Sequence, residues 1–472
     1  MAGYEYDMIV IGSGPAGQKC AVQAAKLGKR VVVVDINPSV GGVCLHDGTI
    51  PSKSFREAIV HFTGYRFRTH FGEAYRVKQR VEMKDLTTWS GAIVENIEQT
   101  LRNQLARNRV EVICGFGTLQ NANCVQVKQR NHQETLCAET IVIATGTKPR
   151  RPKDFEFDNE VILDSNGILY MERLPKSLAV VGGGVIGCEY GSMFATLGVD
   201  VTIIEARPAI LGFVDRELQE TLAYQLRRRG VTLLLNEKVV KCRRSPDGRA
   251  VTFLESGKRV VSEVLLVSAG RVGNVEELGL DQVGITHDAE VGKIQVNEHF
   301  QTSVPNIYAV GDITGIGNLA STAIEQGRRA ACHALKLDDP FPNFPVPWGI
   351  FTIPEIAMVG RTESQLTADR IPYETGVCRF EELERGKILG ENEGMLKILF
   401  DRNSLQLLGV HVIGESSAEL IHIGQMAMAL QADLHFLMHQ VFTYPSLSQA
   451  YKIAALDGFN KVVSTRGLPD EA

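Results

Sequence analysis

No Cys-x-x-Cys pair occurs among the nine cysteines, at positions 20, 44, 114, 124, 137, 188, 242, 332 and 378, and none stands at a metal-ligand spacing. That pattern excludes a zinc ribbon or a closely spaced dithiol. Isolated cysteines are expected to be mostly buried thiols in a reducing, cytoplasmic setting. Long apolar runs are missing too: "VVVV" at 31–34 is far too short to span a bilayer, so no membrane partner is expected. The strand-like "YDMIVIGSG" begins almost at once, and no cleavable leader is expected before it. There is no basic excess either. The formal charge of −5 argues against a nucleic-acid partner. His46 and His422 have no ligand companions, so they read as local hydrogen-bonding residues, and no metal is expected.

What is present is one unit used twice. "MIVIGSGPAG" (8–17) leads to "AAKLGKRVVVVD" (24–35), and "LAVVGGGVIG" (178–187) leads to "FATLGVDVTIIE" (194–205). Each unit runs from an apolar strand through G-x-G-x-x-G into a helix, then to a second strand ending in an acid. Gly12, Gly14 and Gly17 precede Asp35; Gly182, Gly184 and Gly187 precede Glu205 at the same spacing. The first glycine permits a tight turn, the second lets a pyrophosphate approach the backbone, and the third lets helix and strand pack closely. The free N–H groups and positive dipole end of the helix then face the phosphates, and the acid accepts from ribose hydroxyls. One such motif is weak; two in full βαβ context predict two dinucleotide sites. With 472 residues there is room for about three domains.

Three further stretches complete the pattern. "IVIATGTKPRRP" (141–152) ends a strand at Thr145 and Gly146 and turns Pro- and Arg-rich, as a domain connection does; "LLVSAGRVGN" (265–274), with Gly270, marks the return crossing. "TSVPNIYAVGDITG" (302–315) places Asp312 at the expected start of a helix, where it can bind a polyol. "YQLRRRGV" (224–231) reads as solvated arginines at a helix C-terminus before a capping Gly230.

On these motifs the whole chain resembles the pyridine nucleotide–disulfide oxidoreductases. The resemblance implies an α/β fold: two Rossmann-like domains, for FAD (1–150 and 275–340) and for NAD(P) (151–274), and an α+β dimerisation domain (341–472). It implies a homodimer or higher homo-oligomer. The FAD contacts it implies are Gly12, Gly14, Gly17, Asp35, Gly42, Cys44, Lys53, Thr145, Gly146, Asp312 and Ala320. Those for NAD(P) are Gly182, Gly184, Gly187, Glu189, Glu205, Arg207 and Gly270. Lys53 in "PSK" and Glu189 in G-x-G-x-x-G-x-E are expected to pair beside flavin N5; a solvated surface pair is the bland alternative.

The chain departs from the disulfide members where their chemistry lies. "GGVCLHDGTIPSK" (41–53) keeps Cys44 but has Thr49 where the flavin-side cysteine belongs. An alcohol cannot serve as a thiolate. "FTYPSLSQAYKIAALDG" (442–458) puts Tyr444 and Gln449 where the resemblance implies a histidine and a glutamate that move protons. A tyrosine and an amide are poor general bases at neutral pH. Hydride entering from one nicotinamide nucleotide and leaving on another needs neither group. The expectation is therefore an FAD-dependent transhydrogenase, with NADPH and NAD+ as substrates by turns. Glu205 suits the 2'-OH of NAD(H), and Arg207 is placed to meet the 2'-phosphate of NADP(H). Four alternatives stay open: an NAD(P)H:quinone or dye reductase, a redox-dead lipoamide dehydrogenase relative, a non-enzymatic docking subunit, and a Cys44 acting alone through a sulfenic acid.

Overall fold

The computed structural model describes residues 4–72, 74–337, 345–391 and 393–466. The expected boundary at 340/341 falls outside them.

Two parallel sheets carry the two repeated units. In the first, Tyr6–Ile11 pairs with Val31–Asp35 on one side and Gln133–Ile143 on the other; Glu111–Cys114 extends it beyond Val31–Asp35. Ile307–Ala309 adds in parallel to Gln133–Ile143, so residues distant in sequence close the same sheet. The strands "VVVVD" and "YDMIVI" are buried almost throughout, as a sheet covered on both faces requires. The second sheet has the order Thr232–Leu235, Asp200–Glu205, Ser177–Val181, Val264–Val267, Ile162–Leu163, all parallel. Residues 147–149 and 271–273 pair antiparallel between the two units.

Antiparallel strands form the third unit, ordered Trp348–Ile350, Ile356–Gly360, Leu407–Ile413, Met395–Asp401, Tyr373–Arg379. The helices Ser417–Ala429 and Ala450–Arg466 accompany it. Its outer face leaves Met426, Leu430, Val441 and Tyr444 strongly exposed. No described helix is long and apolar enough to cross a membrane.

Three readings need correction. Cys124 and Cys137 are disulfide-bonded; they sit opposite each other on antiparallel strands, a pairing their spacing does not reveal. An inference of compartment from isolated thiols therefore does not hold for this pair. The free cysteines are mostly buried, as expected, five of seven, with Cys44 half-buried and Cys114 exposed. Asp312 lies in a 3-10 turn, Gly311–Thr314, and the long helix begins only at Ala320. The arginines of "RRRG" are not all solvated: Arg228 pairs with Glu393, and Arg229 donates to the Ile353 carbonyl and the Tyr65 hydroxyl, tying the helix end to the neighbouring units.

Candidate functional site

Each glycine turn is braced by its own acid. Asp35 Oδ2 accepts from the Ser13 N–H at 2.7 Å, and Glu205 Oε2 accepts from the Gly183 N–H at 2.7 Å. The spacing between motif and acid is thus a covalent measure of one local loop, repeated. The glycine identities follow from contacts. Gly12 has φ +108°, and a Cβ there would meet the Ala144 carbonyl oxygen at 2.3 Å; a Cβ on Gly187 would lie 1.9 Å from the Gly182 oxygen. Around the middle glycines, Gly14 and Gly184, nothing stands within 4 Å of that position. The face that a pyrophosphate would approach is open in both turns, and the helices Pro15–Lys26 and Val185–Thr196 point their N-termini at it. These residues fit a dinucleotide at each turn.

Between the two turns runs the signature segment. Gly42 packs on Gly14, where an added Cβ would meet the Gly14 Cα at 2.9 Å. Cys44 lies in the short helix Gly42–His46, and Thr49 opens the helix Thr49–Phe62 that carries Lys53. Cys44 is a free cysteine. Burial pushes its thiol up from the ordinary value, and a hydrogen bond from Thr49 opposes this in part. His46 Nε2 bonds the Val40 carbonyl at 2.9 Å, and His422 Nδ1 bonds Gln425 at 2.8 Å.

Lys53 reaches from this helix to the second turn. Its ammonium sits 2.9 and 2.7 Å from the two oxygens of Glu189, whose side chain is 4% exposed. Phe351, a residue with no motif to announce it, donates its N–H to Glu189 Oε1 at 2.8 Å, and the Lys53 ammonium lies 5.1 Å from its ring centre. One carboxylate therefore joins the two repeated units to the third.

On the opposite side, Thr145 Oγ1 donates to the Asn274 carbonyl and Asn274 returns a bond to the Thr145 carbonyl. Gly146 has φ +63°, and the Gly270 carbonyl accepts from Arg150 N–H. Asp312 faces Arg271 here. Burial pushes its carboxyl up, opposed by Arg271 and a hydrogen bond with Thr147. Arg271, also unmarked by any motif, donates to the Thr147 hydroxyl and carbonyl, both at 2.8 Å; burial holds its guanidinium below the ordinary value.

Arg207 does not stand free beside the second turn. Its Nε and Nη2 donate to Glu205 at 2.9 and 3.1 Å, with the arginine 58% exposed and the acid 6%. Burial pushes Glu205 up, but the bonds from Arg207 and Gly183 outweigh it and hold the carboxyl below its ordinary range. Tyr444 and Gln449 lie apart, on the third unit, and no hydrogen bond or ion pair among the described residues joins them to Cys44, Thr49 or Lys53. Ala320 begins its helix without a polar contact of its side chain. Among the described residues one group of acids converges, Asp215, Glu217 and Glu363. The ammonium of Lys397 sits against all three.

Known proteins are similar to this chain in sequence and in fold. The chain is 46% identical to a protein of Mycobacterium bovis named soluble pyridine nucleotide transhydrogenase, over 97% of this chain and 98% of the relative. It is 40% identical to one of the same name from Azotobacter vinelandii, over 98% and 100%. Among solved structures, LpdA from Mycobacterium tuberculosis superposes with a TM-score of 0.88 at 28% identity, covering 95% of this chain and 99% of that one. The HOCl-induced flavoprotein disulfide reductase RclA from Escherichia coli gives 0.86 at 26%, over 96% and 99%. The profile of the pyridine nucleotide-disulphide oxidoreductases matches residues 6–327 and that of their dimerisation domain residues 346–455. With both profiles matched in order along one chain, this protein belongs to the pyridine nucleotide-disulphide oxidoreductase family.

Proposed function

We propose that this protein is an FAD-dependent transhydrogenase that moves hydride between NADPH and NAD+, in either direction, with no protein disulfide in between. The observation that carries the reading is Thr49 beside a free, half-buried Cys44 in the redox segment. The name of the relatives, soluble pyridine nucleotide transhydrogenase, supports it.

When bound, the flavin supplies a ring that accepts a hydride and can release it to an oxidised nicotinamide. The chain's own residues bind and orient. The first turn, with Gly14 and the helix Pro15–Lys26, receives the FAD pyrophosphate; Asp35 takes a ribose and Asp312 the polyol chain. The second turn receives NAD(H) or NADP(H) in alternation. Lys53 would offer a positive charge to a ring bound at this site, where it would stabilise negative charge, and Glu189 fixes that ammonium in place. Thr49 offers an alcohol, which takes up no electrons, and Cys44 stays a thiol. Tyr444 and Gln449 hold no proton that either half-reaction requires. The exposed apolar face around Met426, Leu430 and Val441, together with the dimerisation-domain match, supports a homodimer.

An anaerobic titration tests the reading. NADPH bleaches the flavin; NAD+, a quinone or lipoamide is then added in separate runs. Recovery of the oxidised spectrum with NAD+ is expected. Recovery with quinone alone, or with lipoamide, would displace the proposal.

A further inference from the structure

We propose that Lys397, from the third unit, positions the loop 205–215 and so sets how tightly the second glycine turn holds a nicotinamide nucleotide; this rests on reading that turn as the nicotinamide nucleotide site. The loop begins at the ribose acid Glu205 and carries Arg207. Its middle is fastened to the glycine turn itself, because the Leu211 N–H donates to the Gly183 carbonyl at 2.8 Å. Leu211 is fully buried and left-handed, φ +49°, a conformation that a branched residue keeps only where its surroundings impose it. The Arg207 guanidinium lies against Gly212, with Nη1 3.8 Å from the place a Cβ would occupy.

The loop's far end is held by another part of the chain. Phe213 packs on Trp348 with ring centres 5.2 Å apart. Two residues on, Asp215 caps the helix Arg216–Arg228 by accepting from the Glu217 N–H, and its Oδ1 also accepts from Lys397 Nζ at 2.9 Å. Lys397 stands on the strand Met395–Asp401, and both side chains are 1% exposed. A buried ammonium is costly unless paired, and here Glu363 and Glu217 complete its shell. Burial alone would push Lys397 down; the bonds to Glu363 and Asp215 outweigh it and raise it. His411, directly across the strand pair from Lys397, is buried, and burial holds its imidazole below the ordinary value while Asp215 opposes this. The chain Gly183–Leu211–Phe213–Asp215–Lys397 is thus continuous. Among the described residues Trp348 and Lys397 bond to no member of the second glycine turn; they act through the loop, as positioning residues.

The test uses the holoenzyme and stopped-flow flavin reduction by NADPH and by NADH, recording half-saturating concentration and limiting rate separately. Lys397→Met is expected to raise both half-saturating concentrations about tenfold and to leave the limiting rates within about threefold. Lys397→Arg restores the native values. Phe213→Ala, which leaves the charge cluster intact, gives a smaller rise of the same kind and serves if Lys397→Met does not fold. Unchanged half-saturation in a Phe213→Ala or Lys397→Met protein that has merely lost thermal stability would overturn the proposal. Because the readout is flavin reduction alone, failure of transfer to NAD+ in the native protein would overturn the transhydrogenase reading without touching this one.

Discussion

The ammonium of Lys53 lies within 2.9 Å of both oxygens of Glu189, and the Phe351 N–H fills a third acceptor site on the same carboxylate. The pair is no surface ornament, since the Glu189 side chain is only 4% exposed. Removing one partner of such a pair typically costs about 3–5 kcal/mol. Lys53→Met should therefore lower stability by that order, and Glu189→Gln on top of it should recover part of the loss in a denaturant double-mutant cycle. If the ammonium also meets charge on the reduced ring, Lys53→Met slows flavin reduction by about a hundredfold. A reduction rate equal to native in a flavin-loaded Lys53→Met enzyme would remove Lys53 from the chemistry.

Thr49→Cys restores a second thiol five residues after Cys44, at the start of the helix Thr49–Phe62. Thiol titration should then find six free thiols in the oxidised variant against seven in the native protein, and reduction should give long-wavelength absorbance from a thiolate beside the flavin. Lipoamide turnover should stay lower than in a disulfide member by about 10²–10⁴, because Tyr444 and Gln449 supply no general base. Brisk lipoamide turnover in Thr49→Cys would show that the late pair is not limiting.

The two glycine turns and their acids were legible because motif and acid lie in one βαβ loop, where residue type and spacing encode the geometry. The Lys53–Glu189 pair was legible only through the family resemblance, since its partners are 136 residues apart. Phe351 left no trace because it contributes a backbone N–H, which every residue but proline has. The Cys124–Cys137 bond depends on the register of two strands that periodicity does not fix. Lys397 did leave a signal: it is the one charge inside the apolar run "MLKILF", and a lysine in a buried strand demands acidic partners. What the sequence could not say is that two of those partners, Asp215 and Glu217, come from the nucleotide-binding unit, beside Glu363 from its own.

Arg207 is bonded to Glu205 yet 58% exposed; on the proposed reading it shields an acid that would otherwise repel a 2'-phosphate. Arg207→Ala leaves a charged Glu205 facing the ribose. The half-saturating NADPH concentration should rise about tenfold or more, with NADH altered less than about threefold, and the NADPH effect should shrink at high salt. Glu205→Ala should act in the opposite sense, weakening NADH and sparing NADPH. Equal losses for both nucleotides in Arg207→Ala would mean the arginine only braces the loop.

Glu391 offers a test in pH. Burial pushes its carboxyl up to about 7, with Glu415 and Glu393 adding to the rise and Arg229 opposing it. Arg66 and Arg228 pair with Glu415 and Glu393 in turn, so the acids beside Glu391 are partly neutralised. A folded-state value above the unfolded one means that the native protein binds the proton more tightly. Its stabilising contribution is then complete below the ordinary glutamate range and disappears as pH rises through 7. Glu391→Gln mimics the protonated side chain at every pH. The variant and the native protein should melt together near about pH 4, while near about pH 8 the variant should be more stable by roughly 3 kcal/mol. The comparison reads the difference between two melting curves at each pH, so global charge effects cancel. A Glu391→Gln shift that stays constant from acid to alkaline pH would place the titrating proton on another group.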